Sequence, residues 1–512
     1  MGIETAVDAI AVAAPPRAES VSEFLLAEGH DDAVAFISRG EQHTYAELRR
    51  GVATFAGQLA QCGWDRGTPV AIVAPNGPFW AAAYLAVMLA GHVAVPLPTT
   101  LPPHEIVARV RWIGARGAIL GDRAAVDLAA EMPDDVRVFS AIPEERVEWA
   151  DRPRVAVDDA DDAAYLFTSG TTGDPRAVRL THGNIRANTT SILGYLPLRD
   201  SDRVLVVLPY TYVFGASLLH THLRVGATLV EQPLVAYPES TVGMLAEHRC
   251  TVFAGVPSIY HTLLRNSSFV HRELPDLRII QQAGGRLPPA LLRELSAAHP
   301  QASVFVMYGQ TEATARLSAL PPEMLFSKPG SIGRGIPGVT LRVVDEAGND
   351  IAPGVVGEIR ARGANISPGY VGDETASEQK MPDGELHTGD LATVDDERYI
   401  YIVDRAEDFI KTWGYRVASQ EVEAAAMDTP ELIAVAAVGV PDDAAGERIE
   451  LLAVARPGSG ITSENVLARC RRALPKYSVP VRVTFTDKLP LNANGKVVKS
   501  DVRALLAAGQ ED

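Results

Sequence analysis

Residues 165–182 read Tyr-Leu-Phe-Thr-Ser-Gly-Thr-Thr-Gly-Asp-Pro-Arg-Ala-Val-Arg-Leu-Thr-His, and they are the strongest single motif of the chain. The apolar start predicts the end of a buried strand, and the Ser, Thr and Gly residues that follow predict a loop. Glycine lets backbone amides approach an anion closely and the hydroxyl groups add donors, so such a loop can wrap phosphate groups. A flexible hairpin loop is the competing interpretation. The run differs from the loop of P-loop NTPases because no lysine follows its second glycine.

Short apolar runs alternate with helical patterns on both sides of this loop. Those typical of buried strands are residues 69–74, 204–208, 227–230, 252–254, 279–282 and 304–307. Buried strands separated by helices favour mostly parallel α/β layers. From residue 330 onward, glycine and proline become dense and polarity alternates, which predicts a smaller antiparallel β unit. The residues after about 405 predict a compact α+β domain.

The composition restricts the class of protein. The 512 residues carry 47 Lys and Arg against 64 Asp and Glu, for a net charge of −17, and this balance disfavours a nucleic-acid-binding surface. Cys62, Cys250 and Cys470 are far apart, so neither a disulfide framework nor a thiolate metal site is expected. The apolar residues 80–98 are interrupted by glycine, histidine and proline and predict a buried helix and strand rather than a membrane span. Because the start shows no signal-peptide pattern, we expect a cytoplasmic protein without nucleic-acid or membrane partners.

Further motifs follow the loop in a fixed order. They are Leu-Pro-Tyr-Thr-Tyr-Val-Phe-Gly (208–215), Ala-Gly-Gly (283–285), Met-Tyr-Gly-Gln-Thr-Glu-Ala-Thr (307–314), Gly-Glu-Leu-His-Thr-Gly-Asp (384–390), Asp-Arg-Ala-Glu-Asp-Phe-Ile-Lys-Thr-Trp-Gly-Tyr-Arg-Val (404–417) and Pro-Leu-Asn-Ala-Asn-Gly-Lys (490–496). Together with residues 165–182, this series resembles the adenylate-forming superfamily, which includes acyl- and aryl-CoA synthetases, adenylation domains and luciferase. The resemblance extends over roughly residues 20–505.

The resemblance implies an α/β multidomain fold. A loose tail (residues 1–20) would precede a large N-terminal domain (21–406), built from parallel α/β subdomains plus a small β unit, that binds ATP and the acid. A small mobile α+β domain (407–512) would follow. Two half-reactions are implied: a carboxylate attacks the α-phosphorus of ATP, with Mg²⁺ present, to give an acyl-adenylate and pyrophosphate. A thiol then takes the acyl group, and this thiol belongs to CoA or to the phosphopantetheine of an acyl or peptidyl carrier protein.

The family motifs carry the candidate site residues with them. The resemblance assigns catalysis to Lys496, Thr311 and Glu312, the metal to Glu312, the swing of the small domain to a hinge at Glu407, and a thiol tunnel to Gly414. It assigns ATP or AMP binding to Thr168, Ser169, Gly170, Thr171, Thr172, Gly173, Arg176, Ala283, Gly284, Gly285, Tyr308, Gly309, Thr311, Asp390 and Arg405. It assigns the acid pocket to Tyr212, Val213, Phe214, Gly215, Val256, Tyr260, Gly284, Gly285 and Tyr308.

Two of these assignments also have a physical basis in the residues themselves. Next to a triphosphate-binding loop, Glu312 suits Mg²⁺, which prefers one or two carboxylates plus phosphate oxygens, although a lone carboxylate at a strand end is more often solvated. Lys496 stands in a chain with only seven lysines, none of them in the first 327 residues. An ammonium on a flexible stem can follow charge that develops as phosphorus is attacked, so we predict that Lys496 is needed for adenylation.

The sequence departs from the family pattern at several positions. Arg176 replaces the usual lysine of the phosphate loop, Ala177 the usual glycine, and Tyr212 a frequent histidine. Val213 stands where α-amino-acid-activating domains carry an aspartate. An apolar residue there offers no counter-charge to an ammonium group, so we expect an acyl or aryl acid as substrate.

Two alternatives to an acid–thiol ligase for acyl or aryl acids stay open. The first is a stand-alone enzyme that activates an amino or β-amino acid and loads it onto a carrier protein. The second is a nucleotide-binding protein without ligase activity. The presence of Lys496, Glu312 and Asp390 together argues against the second alternative.

Overall fold

The computed structural model describes residues 19–121, 124–168, 176–232, 237–405, 408–429, 431–442, 444–491 and 497–508. The helices are α1 (Val21–Leu25), α2 (Tyr45–Ala60), α3 (Pro78–Leu89), α4 (Pro103–Trp112), α5 (Ala124–Glu131), α6 (His182–Leu193), α7 (Val213–Val225), α8 (Pro238–Glu247), α9 (Pro257–Asn266), α10 (Pro289–Ala298), α11 (Glu374–Lys380), α12 (Ser419–Ala426), α13 (Ser463–Ala473) and α14 (Lys499–Ala508). The strands are β1 (Val34–Ser38), β2 (Glu41–Thr44), β3 (Pro69–Val73), β4 (Val93–Pro96), β5 (Gly117–Leu120), β6 (Arg137–Phe139), β7 (Asp162–Thr168), β8 (Arg176–Thr181), β9 (Arg203–Val206), β10 (Thr228–Glu231), β11 (Val252–Gly255), β12 (Ile279–Gln282), β13 (Ser303–Tyr308), β14 (Ser318–Leu320), β15 (Arg334–Gly335), β16 (Val339–Val344), β17 (Gly357–Gly363), β18 (Leu386–Val394), β19 (Ile400–Arg405), β20 (Ile410–Thr412), β21 (Tyr415–Val417), β22 (Leu432–Asp442), β23 (Gly446–Ala455) and β24 (Arg482–Phe485).

Two mostly parallel sheets form the larger part of the molecule. The first has nine strands in the order β15-β14-β13-β12-β11-β9-β10-β1-β2, and every pairing from β13 through β1 is parallel. The second has six strands in the order β6-β5-β3-β4-β7-β8, and only β7 and β8 pair antiparallel. Parallel neighbours need crossover connections, and helices supply most of them here. This arrangement confirms the predicted α/β class.

Helix α3 connects the two large sheets through a shared core. Every residue from Trp80 to Leu89 is buried, so α3 is apolar on all sides, as expected of a helix enclosed by protein. The cluster of buried side chains that contains α3 includes residues of both sheets. The predicted buried helix and strand in residues 80–98 are therefore present as α3 and β4. Among the described residues, no helix is long and apolar enough to cross a membrane.

Two smaller sheets follow along the chain. Strands β16–β19 form an antiparallel sheet in chain order. Strands β20–β24 form a five-stranded sheet, with α12 and α13 packed on one face and α14 on the other. The first of these sheets ends at Arg405 and the second begins at Ile410. The domain boundary predicted between residues 406 and 407 falls between them and stays a prediction, because both residues lie outside the described ranges.

A buried acid lies at the carboxyl end of strand β10. Glu231 is the last residue of this strand, and its carboxylate accepts a hydrogen bond from the hydroxyl of Tyr210, which is fully buried. The ring of Trp80 packs against Tyr210 with 5.1 Å between ring centroids. Burial raises the pKa of Glu231 to about 8, and the hydrogen bond from Tyr210 opposes this only in part.

The raised pKa of Glu231 makes the folding stability depend on pH. In the unfolded chain this carboxyl has its ordinary pKa of 4.5, so between that pH and about pH 8 it is ionised when unfolded and protonated when folded. Within this window, each unit of rising pH should lower the free energy of unfolding by about 1.4 kcal/mol through this group, with no further loss above it. In urea unfolding at pH 6, 7 and 8, we expect Glu231→Gln to flatten the pH dependence. Parallel pH profiles for the variant and the wild type would contradict this.

Candidate active site

The motifs predicted to bind ligands meet along one edge of the nine-stranded sheet. Strands β9, β11, β12 and β13 are neighbours and run parallel, so their carboxyl ends lie side by side. Predicted site residues at 208–215, 256, 283–285 and 309 each follow one of these strands, beginning within two residues of its end. In open α/β sheets, ligands bind outside the carboxyl ends of the strands. Because of this strand order, four segments that are far apart in the chain lie side by side at one edge of the sheet.

Gly284 forms a close contact between three of these segments. Its φ of +85° is a conformation that glycine adopts without strain. A Cβ at this position would come within 2.9 Å of Val256 Cγ1 and 3.2 Å of the Tyr212 hydroxyl oxygen. The structure therefore brings together three residues of the predicted acid pocket. The next residue, Gly285, packs in the same way against Pro257.

The other pocket candidates have different environments. Val213, Phe214 and Gly215 form the buried first turn of α7. A Cβ on Gly215 would lie 2.1 Å from a backbone carbonyl oxygen of the preceding loop, so only glycine fits there. Tyr260 is fully buried, and its hydroxyl donates to the Gln281 carbonyl at 2.7 Å. The structure thus gives Tyr260 a packing role between β11 and β12, and its role in the pocket stays a prediction.

Glu312 lies on a single helical turn, Thr311–Ala313, just beyond β13. Its Oε1 accepts a hydrogen bond of 2.8 Å from the Tyr370 hydroxyl. Burial, together with the charge of Glu312, raises the pKa of Tyr370, so the phenol keeps its proton and donates. The guanidinium of Arg176 lies over the Tyr370 ring, 5.7 Å from its centroid. Tyr370 thus connects the predicted metal ligand to the predicted phosphate-binding cation, although no motif in the sequence pointed to this residue.

Asp390 and Arg405 face each other across strands β18 and β19. The Nε of Arg405 is 3.4 Å from Asp390 Oδ1, and the Tyr308 hydroxyl donates to Asp390 Oδ2. Burial and the charge of Asp390 raise the pKa of Tyr308 well above its usual value. Three residues predicted to bind ATP or AMP therefore lie together, with Tyr308 linking the four-stranded sheet to the end of β13. Their contacts with ribose and adenine stay predictions.

The residues on either side of the predicted phosphate loop are paired. Thr168 and Arg176 face each other as the last residue of β7 and the first residue of β8. The predicted loop residues between them lie outside the described ranges, as do the predicted catalytic lysine and hinge, and their roles stay predictions: Ser169, Gly170, Thr171, Thr172, Gly173, Lys496 and Glu407.

Gly414 lies at the turn of the β20–β21 hairpin. Trp413 and Gly414 have φ values of 52° and 80°, as in the tight turns whose twist matches that of the flanking strands. A Cβ on Gly414 would meet no atom within 4 Å. The turn alone thus accounts for glycine at this position, and the thiol tunnel stays a prediction.

Asp404 is a second residue to which the sequence motifs assigned no role. It is buried at the end of β19, and its Oδ2 accepts a hydrogen bond of 2.6 Å from the Ser419 hydroxyl and another from the Ser419 amide. Ser419 is the first residue of α12, and a carboxylate is favourable at the amino end of a helix. The last strand before the predicted hinge therefore holds the first helix after it.

Two sequence-family models match the chain. The model of the AMP-binding enzyme matches residues 26–371, and that of the AMP-binding enzyme C-terminal domain matches residues 421–496. The chain belongs to the AMP-binding enzyme family. It is an AMP-forming ligase, which converts a carboxylic acid to an acyl-adenylate and passes the acyl group to a thiol. The predicted family, fold class and ligase activity are confirmed.

Relatives of the ligase act on different acids. Feruloyl-CoA synthase from Amycolatopsis sp is 32% identical over 469 residues, which cover 91% of this chain and 94% of that protein. Oxalate–CoA ligase from Arabidopsis thaliana is 29% identical, with 89% and 91% covered. Among solved structures, o-succinylbenzoate coenzyme A synthetase from Bacillus subtilis, in complex with ATP and a magnesium ion, has a TM-score of 0.83 at 26% identity, with 95% and 99% covered.

Gly309 allows a test of the packing behind Glu312. A Cβ on Gly309 would lie 1.9 Å from the Ala315 carbonyl oxygen, so the backbone must shift to accept it. We expect Gly309→Ala to lower the free energy of unfolding by about 1–3 kcal/mol in urea melts and to reduce adenylation.

Gly243→Ala is the matched control for Gly309→Ala. Gly243 is an exposed residue of α8, and a Cβ there would meet no atom within 4 Å. Alanine in a helix is more stable than glycine by about 0.5–1 kcal/mol, so this variant should be slightly stabilised and fully active. Equal stability of the two variants would refute the predicted clash.

Proposed function

We propose that the ligase activates an acid without an ammonium group and uses CoA as the thiol acceptor, at the shared edge of β9, β11, β12 and β13. The observation that carries the proposal is the arrangement around this edge: Glu312 with Tyr370 and Arg176 on one side, and Asp390 with Tyr308 on the other. The names of the relatives support CoA as the acceptor. A cytoplasmic location, where ATP and CoA are supplied, is part of the proposal.

The two half-reactions need positioning more than they need a protein nucleophile. In the first, a carboxylate oxygen of the acid bonds to the α-phosphorus of ATP as the bond to pyrophosphate breaks. Arg176 would balance charge on the phosphates and Asp390 would accept hydrogen bonds from ribose hydroxyls, which fixes the reacting atoms in line. In the second, the thiol sulfur bonds to the acyl carbon, AMP leaves with the electron pair of the broken C–O bond, and the thiol proton passes to solvent.

The donor set fits a magnesium ion that is held largely by phosphate. In the part of the chain that the structure describes, no group of three or more His, Cys, Asp or Glu side chains could hold a metal. Glu312 is a half-buried carboxylate whose Oε1 is oriented by Tyr370. Mg²⁺ commonly binds one or two carboxylates together with phosphate oxygens and water, and Glu312 would hold it in this way. When bound, the ion neutralises charge on the leaving pyrophosphate.

The first turn of α7 argues against an amino-acid substrate. Val213 is 5% exposed and stands where an acidic counter-charge would be needed. An ammonium group placed against it would lose its hydration without compensation.

Assays of the separate half-reactions test the proposal. A panel of acids, with and without amino groups, is incubated with ATP and Mg²⁺ and analysed by mass spectrometry for acyl-AMP. CoA or a phosphopantetheinylated carrier protein is then added. We expect acyl-AMP from acids without amino groups, and a thioester with CoA. Adenylation restricted to amino acids, or transfer to the carrier protein alone, would overturn the proposal.

Lys496→Ala should separate the two half-reactions. If the Lys496 ammonium stabilises charge on the attacked phosphorus, adenylation should fall by about 10²-fold or more. Thioester formation from supplied acyl-AMP should fall much less. Lys476→Ala is the control, because Lys476 lies in the same domain and has no assigned role. Equal losses in both half-reactions would rule out this role for Lys496.

Glu312→Gln should raise the requirement for magnesium. The glutamine keeps an oxygen to accept the Tyr370 hydroxyl but removes the negative charge that would hold Mg²⁺. We expect the Mg²⁺ concentration at half-maximal adenylation rate to rise by about 10-fold. Tyr370→Phe keeps the charge and loses only the hydrogen bond, so its Mg²⁺ dependence should change less. An unchanged dependence in Glu312→Gln would mean that the carboxylate does not hold the metal.

A further inference from the structure

A buried cation lies next to the predicted acid pocket. Arg316 is 2% exposed and stands between β13 and β14. Its backbone is fixed on both sides: the amide donates to Asn188 Oδ1 at 3.3 Å, and the carbonyl accepts from Asn188 Nδ2 at 3.0 Å and Asn365 Nδ2 at 2.9 Å. The side chain therefore starts from a rigid position.

The guanidinium of Arg316 has aromatic and sulfur neighbours. Its Cζ lies 4.2 Å from the centroid of the Phe214 ring, and its Nε donates to Met307 Sδ at 3.4 Å. Burial lowers the pKa of Arg316, and the nearby phenols of Tyr195 and Tyr212 oppose this shift. Among the described residues, no Asp or Glu side chain forms an ion pair with it.

Other buried arginines of the chain have carboxylate partners. Arg49 pairs with Asp31 at 2.6 Å, and Arg186 pairs with Asp159. An arginine stays protonated in a protein, and a buried charge without an opposite charge is strongly unfavourable. Contacts with an aromatic face, a thioether and the Tyr195 hydroxyl replace only part of the lost hydration. Arg316 thus differs from Arg49 and Arg186, because no described residue of the chain gives it an anionic partner.

The neighbours of Arg316 include residues of the predicted acid pocket. Phe214 belongs to the first turn of α7, and Tyr212 directly precedes this turn. The Tyr212 hydroxyl in turn lies against Gly284, which packs on Val256. The guanidinium thus contacts one of the four segments at the sheet edge directly, and Tyr212 connects it to two more.

We propose that Arg316 binds a second anionic group of the substrate, so that the ligase activates dicarboxylic acids or acids of similar charge. The inference rests on the proposed function. A guanidinium matches a carboxylate with two parallel hydrogen bonds, and the bound anion would supply the charge partner that no described residue provides. The relatives include an oxalate–CoA ligase and a feruloyl-CoA synthase, so sequence similarity alone does not indicate whether the substrate is a diacid or a monoacid. Arg316 favours the diacid and would repel an ammonium group.

Matched pairs of acids test the inference on the wild-type enzyme. The pairs are succinate and butyrate, glutarate and pentanoate, and phthalate and benzoate, each assayed by pyrophosphate exchange. We expect kcat/KM for the better diacids to exceed that of their matched monoacids by about 10²-fold. Arg316→Met should remove this preference by lowering kcat/KM for the diacid about 10²-fold while leaving the monoacid within about 3-fold. Arg316→Lys should lie between the two, because it keeps the charge but loses the bidentate geometry.

Arg334→Met is the matched control for Arg316→Met. Arg334 also lies over an aromatic ring, 4.3 Å from the centroid of Tyr399, but it is exposed on β15 outside the pocket. This variant should keep the wild-type preference for diacids.

The outcomes separate the inference from the proposed function. The inference would be overturned if the wild type preferred monoacids. It would also be overturned if Arg316→Met lowered kcat/KM for the diacid and the matched monoacid by the same factor. Either result would leave the proposed function standing. Failure of the wild type to adenylate any acid would overturn both. If thermal unfolding shows that Arg316→Met does not fold, the wild-type panel decides alone.

Discussion

The parallel pairing of β9, β11, β12 and β13 is the constraint on which the site depends. Because these strands run in one direction, the segments that follow them emerge at a single edge, although helices separate them along the chain. Close packing at this edge then restricts the residues that fit. Gly215 and Gly309 each stand where a Cβ would overlap a backbone carbonyl, and Gly284 packs against two neighbouring segments. The geometry of the site is thus set by main chain more than by flexible side chains.

Two tyrosines fix the two carboxylates with the clearest predicted roles. Tyr370 donates to Glu312 and Tyr308 donates to Asp390. Burial and the adjacent charge raise the pKa of each phenol, so both hydroxyls act as donors throughout the physiological range. A neutral donor orients a carboxylate without cancelling its charge. Both carboxylates are therefore oriented before any ligand arrives, which is the condition for electrostatic preorganisation.

Local patterns in the sequence predicted much of the fold but only part of the site. Strand β11 (Val252–Gly255) contains the predicted residues 252–254, because a strand buried in a parallel sheet is a continuous apolar run. The motifs pointed to Glu312 and Asp390 individually. Their tyrosine partners are 58 and 82 residues away in the chain, so no local pattern could reveal these bonds. Arg316 stands in a short run between alanine and leucine, where only tertiary packing shows that its charge is enclosed.

The cap that Asp404 places on α12 would limit the predicted rotation of the small domain. Asp404 belongs to the four-stranded sheet. The amide and hydroxyl that donate hydrogen bonds to it belong to Ser419, which lies on the other side of the predicted hinge. A rotation that preserves these bonds must have its axis close to the amino end of α12, so that this point barely moves while the far side of the domain sweeps a wide arc. A rotation about any distant axis would first have to break the cap. The rotation axis would then pass close to Asp404, and this residue would define the pivot of the domain.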